Sequence, residues 1–247
     1  KGHFNIFPVS PNAPPPDHTL ENWTDLFERI RQTPEVQVAI LNHPTDVHSG
    51  FVPFAATNLN LVTGRNLRGA FAFPFDAIEV INSGAMNSDW MAPFRVWFAL
   101  LNRGYPMVAV AASDSHDVSR FIVGQGRTYI RGEDTRPGQI NVRAACAALK
   151  QGRATVSLGI FANLALQEAD SGKPGAGPGE LLSAGERELD LVASFAAPDW
   201  ISPERAVIYA NGRPLAERRG LGREGSFALR LTIPKEDTQY VLIVEAP

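Results

Sequence analysis

Two short apolar runs, each followed at once by residues that can bind a metal, constrain the fold of this chain most strongly. Met107–Ala112 precedes Ser113–His116, and Val36–Leu41 precedes Asn42–Pro44. Unbroken apolar runs of this length are typical of strands in a parallel sheet that is buried on both faces. Catalytic groups collect at the carboxyl ends of such strands. The pattern therefore predicts an α/β region with a site at that edge.

Strand and helix patterns alternate through the first 160 residues, and this alternation predicts a parallel sheet or barrel covered by helices. Apolar spacing predicts helices over Asn22–Gln32, Asp89–Arg103 and Asn141–Gln151. The predicted strands are Phe4–Phe7, Val36–Leu41, Asp76–Asn82 and the strand leading into Asp114.

The pattern changes after about residue 160 to short strands with alternating apolar residues. Asn211-Gly212, which follows the strand Ala206–Ala210, is a strong signal for a hairpin turn. These features predict a small antiparallel sandwich. We therefore expect one domain over residues 1–165 and a β-sandwich domain over residues 170–247.

Composition narrows the function classes. The chain has 247 residues and a formal charge of −3, and it contains no basic run, so nucleic acid is not favoured as a partner. The single cysteine, Cys146, excludes an intrachain disulfide and a cysteine-based zinc site. No apolar run is long enough to span a membrane, and no signal-peptide pattern is visible. The compartment stays open between cytoplasm and a periplasmic or secreted location.

Asp114 and His116 are the strongest candidates for metal ligands. Two residues apart, just past a buried strand, they can direct a carboxylate and an imidazole at one ion. The alternative is a capped strand end with an internal Asp–His hydrogen bond. His43 is a weaker candidate on its own, because a histidine in a turn is common, although Pro44 stiffens this one. His3, at the start of the first strand, carries no signal alone.

Other polar residues could contribute around such a site. A charged Glu79 inside an apolar strand is costly unless it is paired, and Asn82 could hydrogen-bond a ligand residue. Asp46 and His48 are possible substrate contacts or surface residues. Arg120 is a possible substrate contact, or part of a solvated loop.

Four motifs occur in a fixed order and together resemble the later part of a PHP domain, the polymerase-and-histidinol-phosphatase superfamily. They are Gly2–Asn5, Asn42–Pro44, Ile78–Gly84 and Ser113–His116. The resemblance is greatest to CehA/McbA-type metallohydrolases, which also carry a C-terminal β-sandwich. It implies a distorted (β/α)7 barrel that holds two or three divalent metals, such as zinc, manganese or iron. It also implies that the metal ligands are His3, His43, Asp114 and His116, and it leaves Glu79 open.

The chain departs from that family at its start. The family opens with a His-x-His pair on its first strand, and nothing of that kind precedes His3. Since a barrel must close to hide its sheet edges, we expect either an accompanying N-terminal piece, cleaved from this chain or present as a separate chain, or an association that covers the gap. Without it, we expect residues 1–247 to hold metal weakly.

The function that these patterns predict is metal-dependent hydrolysis of a small phosphoester or a related ester, amide or carbamate. A metal-activated water would be the nucleophile. One alternative is a non-catalytic binding or structural module derived from a PHP barrel. A nuclease is a further alternative, against which the mildly acidic composition weighs.

Overall fold

The computed structural model describes residues 2–45, 59–63, 65–66, 74–83, 89–132, 136–171, 175–183 and 188–247. The α-helices in these ranges are α1 (Trp23–Gln32), α2 (Ala92–Leu101) and α3 (Val142–Lys150). The strands are β1 (Phe4–Phe7), β2 (Val38–Leu41), β3 (Leu59–Asn60), β4 (Arg65–Asn66), β5 (Ala77–Asn82), β6 (Val108–Ala112), β7 (Arg127–Ile130), β8 (Ala154–Ser157), β9 (Phe161–Glu168), β10 (Leu189–Ala196), β11 (Arg205–Ala210), β12 (Arg213–Arg219), β13 (Glu224–Leu231) and β14 (Tyr240–Glu245). None of the described helices is long and apolar enough to cross a membrane, in agreement with the sequence.

The largest sheet has four strands in the order β1-β2-β5-β6. Strands β2, β5 and β6 are parallel, so their carboxyl ends meet at one edge of the sheet. Strand β1 is antiparallel to β2 and pairs Phe4 with Leu41. The residue before β1, His3, therefore lies at the same edge, where its carbonyl accepts a hydrogen bond from the Asn42 N–H.

Both faces of this sheet are covered by helices, which explains why its strands are apolar without alternation. In β2, Val38 and Ile40 join the apolar cluster that contains Cys146 and Leu149 of α3. Side chains on the opposite face join a larger cluster formed with α1 and α2. The helix ends follow local signals, since the Asn22 and Asn141 side chains cap α1 and α3.

Strands β9 to β14 form two antiparallel three-stranded sheets, in the orders β13-β10-β9 and β12-β11-β14. They pack face to face through an apolar cluster that contains Leu191 and Ile208. Asn211 and Gly212 link β11 to β12 with φ values of 48° and 76°, the left-handed geometry that a two-residue hairpin requires. The hairpin turn predicted from this Asn-Gly pair is thus confirmed.

Helix α2 packs directly against the second of these sheets. The Phe98 ring lies 5.4 Å from the Tyr209 ring, centroid to centroid. At the end of the helix, Asn102 Nδ2 donates to the Asn211 carbonyl at 3.0 Å, and Gln239 Nε2 donates to Asn102 Oδ1 at 2.7 Å. One apolar cluster therefore extends from the parallel strands through α2 into the C-terminal sheets.

The expectation of a partial (β/α)7 barrel is wrong. The described residues are 35% strand and 15% helix, with three α-helices and several small sheets, and they contain no closed barrel. The set of parallel strands, β2, β5 and β6, ends at both sides of the sheet. On one side β1 runs antiparallel to β2. On the other, β7 and β8 form a separate antiparallel pair, attached to β6 by the Thr128 hydroxyl, which bonds the Ala111 N–H and carbonyl at 2.9 and 3.0 Å.

Candidate functional site

Most of the polar residues singled out in the sequence lie at or beside the carboxyl edge of the parallel strands. His43 and Asp114 each follow a strand end by two residues, and Glu79 and Asn82 lie within β5. His3 reaches this edge because β1 is antiparallel. The topology therefore places a set of potential metal ligands where parallel α/β sheets carry their sites.

His3 and His43 form the first donor pair. The Nδ1 of His3 lies 3.0 Å from the Nε2 of His43, and the rings meet edge to face. Two nitrogen lone pairs repel each other, so this contact requires a proton or a cation between them. Because each Zn–N bond is about 2.0–2.1 Å long, nitrogens at this separation are within reach of one shared ion.

Asp114 and His116 form the second donor pair. The Nδ1 of His116 lies 2.7 Å from the backbone carbonyl of Asp114 and 3.7 Å from its Oδ1. Because a carbonyl only accepts, Nδ1 carries the proton, and the Nε2 lone pair is left to bind a ligand. Metal-binding histidines commonly donate their other N–H in this way. The His116 side chain is 75% exposed, so Nε2 is accessible.

Glu79 lies beneath these donors and is 3% exposed. Its Oε2 accepts hydrogen bonds from the His43 N–H at 2.6 Å and from Asn82 Nδ2 at 3.1 Å. Burial raises the pKa of Glu79 to about 7, an effect that the two hydrogen bonds oppose and the nearby charge of Asp114 reinforces. The two hydrogen bonds therefore offset only part of the cost of burying a charge at this position.

The two residues that follow the strands have unusual backbone angles. His43 has φ of 24° and Asp114 has φ of 50°, both in the left-handed region. Such residues cost of the order of 1–3 kcal/mol and collect at functional sites. Their conformations mark the edge of the sheet as more than a routine chain reversal.

The remaining candidates stand apart from this arrangement. Within the described ranges, no group of three or more His, Cys, Asp or Glu side chains is arranged to hold one ion, so the donors form pairs. Arg120 binds Asp117 in its own loop, with Nε 2.9 Å from Oδ2. Asp46 and His48 lie outside the described residues.

Two features of this edge escaped the sequence reasoning. The loop after His116 exposes three aliphatic side chains, Val118, Ile122 and Val123. The signal in the sequence was the presence of three β-branched apolar residues in an otherwise polar loop. Ser83, at the end of β5, has a buried Oγ without a hydrogen-bond partner among the described residues. No pattern in the sequence distinguishes Ser83 from an ordinary turn residue.

The burial of Glu79 predicts that the metal-free protein loses stability as the pH rises from about 5 to about 7. Below the usual pKa of 4.5, the folded and unfolded states both carry the proton. Above it the unfolded state releases the proton first, which favours unfolding, and the loss levels off above the folded pKa at roughly 3 kcal/mol. Chemical denaturation in chelator between pH 4 and pH 8 measures this loss. It should largely disappear in Glu79→Gln, and an equal loss in both proteins would contradict the assignment.

No protein-family model, curated protein or solved structure matches this chain.

Proposed function

We propose that this chain is a divalent-metal-dependent hydrolase of small phosphoesters or related esters, amides or carbamates. The proposal depends on one observation: two donor pairs lie at the same carboxyl edge of β2, β5 and β6. His3 Nδ1 lies 3.0 Å from His43 Nε2, and His116 Nδ1 lies 2.7 Å from the Asp114 carbonyl, which leaves the His116 Nε2 lone pair to bind a ligand. The resemblance to the PHP superfamily implies the same four residues as metal ligands.

The donor types suit the proposed metals. Imidazole nitrogens suit zinc and iron, and a carboxylate also suits manganese. His3 and His43 would hold one ion, and Asp114 and His116 a second. When bound, such ions supply a water of lowered pKa and a positive charge that stabilises the developing oxyanion.

The surroundings of the donors favour a small substrate over nucleic acid. Binding to a nucleic-acid backbone depends on lysine and arginine side chains that neutralise phosphates. Arg120, the cation nearest in sequence to His116, is occupied by Asp117. The loop instead presents Val118, Ile122 and Val123 to solvent, which suits a substrate with an apolar part.

A non-catalytic binding module is the second candidate. It is favoured by the finding that no three donors in the described residues are arranged around one point. Two pairs of donors without further ligands would bind an ion weakly. Metal stoichiometry separates this candidate from the hydrolase.

The test begins with chelator-treated protein titrated with zinc, manganese or iron(II). Bound metal is measured by elemental analysis at equilibrium dialysis, which also detects weakly held ions, and turnover is measured with p-nitrophenyl phosphate, p-nitrophenyl acetate and a p-nitrophenyl carbamate. The hydrolase predicts at least one retained ion per chain and turnover that depends on it. Failure to retain any of the three metals, with no turnover above chelator-treated protein, would favour the binding module.

A further inference from the structure

The contact between Glu79 and Asn82 depends on an irregularity in β5. Between β5 and β6, Glu79 pairs with Val110 but Ile81 pairs with Ala111, so the register shifts by one residue at Val80. This is a bulge, which adds a residue to one strand and re-aims the side chains beyond it. Bulges of this kind are over-represented next to active sites.

The bulge brings Asn82 to the same side as Glu79. In a regular strand, residues three apart lie on opposite faces. Here the extra residue reverses that relation, and Asn82 Nδ2 reaches Glu79 Oε2 at 3.1 Å. Asn82 is 4% exposed and Glu79 is 3% exposed, so this contact is built into the interior.

The other partner of Glu79 is the backbone of His43, in a conformation that needs support. The His43 N–H donates to Oε2 at 2.6 Å, while the residue itself has φ of 24° and precedes Pro44. A proline favours extended geometry in the residue before it. Oε2 therefore holds a strained backbone in place, and its two lone pairs are both used by the His43 and Asn82 donors.

We propose that Glu79 is a positioning residue that orients His43 through its backbone N–H and is not itself a metal ligand. The inference rests on the proposed function, because it assigns the carboxylate a task at that site. It follows that the orientation of His43 depends on the acceptor oxygen of residue 79 and not on its negative charge. Glutamine at position 79 keeps an oxygen for both donors, whereas alanine removes it.

The first measurement needs no metal. In metal-free wild-type protein and in Glu79→Gln, we expect the His43 amide proton to resonate downfield and to be protected from exchange. In Glu79→Ala we expect its exchange to be at least about tenfold faster. Should the alanine variant fail to fold, Glu79→Met fills a similar volume without an acceptor. An unchanged His43 amide in the variant without the acceptor would overturn the proposal.

The second measurement is zinc affinity. We expect Glu79→Ala, or Glu79→Met in its place, to weaken zinc binding by about 10- to 100-fold, as loss of an orienting partner does, and Glu79→Gln to stay within about threefold of wild type. The matched control is Glu224→Gln on the surface of β13, which should change neither readout. An equal loss of zinc affinity in Glu79→Gln and Glu79→Ala would show that Glu79 is a metal ligand. A wild-type protein without zinc binding would overturn the proposed function and the role at the metal, while the amide measurement would still decide whether Glu79 holds His43.

Discussion

Replacing His116 with alanine should reduce metal-dependent hydrolysis by about 1,000-fold or more, because it removes a ligand whose ion contributes several kcal/mol to transition-state stabilisation. The melting temperature should not change, since the side chain is 75% exposed. Removing the carboxylate with Asp114→Ala should cause a similar loss of hydrolysis. The measurements are kcat/KM for the best substrate of the panel at saturating metal, and thermal unfolding of each variant.

The matched control for this experiment is His18→Ala. His18 is also an exposed histidine, and it lies in the loop before α1, away from the strand ends. It should keep wild-type activity and stability. Full activity in His116→Ala would show that the second donor pair has no part in the reaction.

Replacing Phe98 with alanine should lower the free energy of unfolding by about 3–5 kcal/mol, the usual cost of deleting a buried phenylalanine side chain. Phe98 is 4% exposed, and its ring packs against that of Tyr209 at an interplanar angle of 34°. It also fits closely over the hairpin turn, where a Cβ placed on Gly212 would lie 2.8 Å from Phe98 Cβ. Urea denaturation of the wild type and the variant measures the difference.

The exposed residue Trp200 provides the control for this second prediction. Trp200 is 84% exposed in the C-terminal part of the chain, so Trp200→Ala should change the unfolding free energy by less than about 0.5 kcal/mol. A loss below about 1 kcal/mol in Phe98→Ala would mean that α2 does not depend on its contact with the C-terminal sheets.

Local features of this fold could be predicted well from the sequence. The strand Phe4–Phe7 has the predicted bounds, and α3 begins directly after the predicted residue Asn141, whose side chain caps it. These elements depend on caps, turn residues and apolar spacing, which are all encoded within about ten residues.

The way the strands assemble could not be predicted in the same way. Nothing within Phe4–Phe7 encodes whether it runs parallel or antiparallel to Val38–Leu41, and that direction decides between a barrel-like succession and the observed open sheet. The Thr128 hydroxyl that bonds the backbone of β6 is another long-range feature without a local signal.

The candidate site also combines features that a local sequence signal predicts with features that depend on long-range contacts. The sequence indicated that Glu79 needs a partner, because an acidic residue interrupts an apolar run. It did not indicate that the partners are a backbone N–H and Asn82. The first contact depends on the pairing of β2 with β5, and the second depends on a bulge defined against β6. The spacing of Asp114 and His116 indicated one pair, but the sequence did not indicate that His3 would face His43, because that contact depends on the antiparallel direction of β1.

The position of a bound zinc ion tests the proposed metal site most directly. A crystal of the zinc-loaded protein, measured on both sides of the zinc absorption edge, locates zinc by its anomalous scattering. We expect one anomalous peak about 2.0–2.1 Å from both His43 Nε2 and His3 Nδ1, and a second peak at the same distance from His116 Nε2. Zinc bound elsewhere on the protein, with no peak at either donor pair, would contradict the proposed metal site.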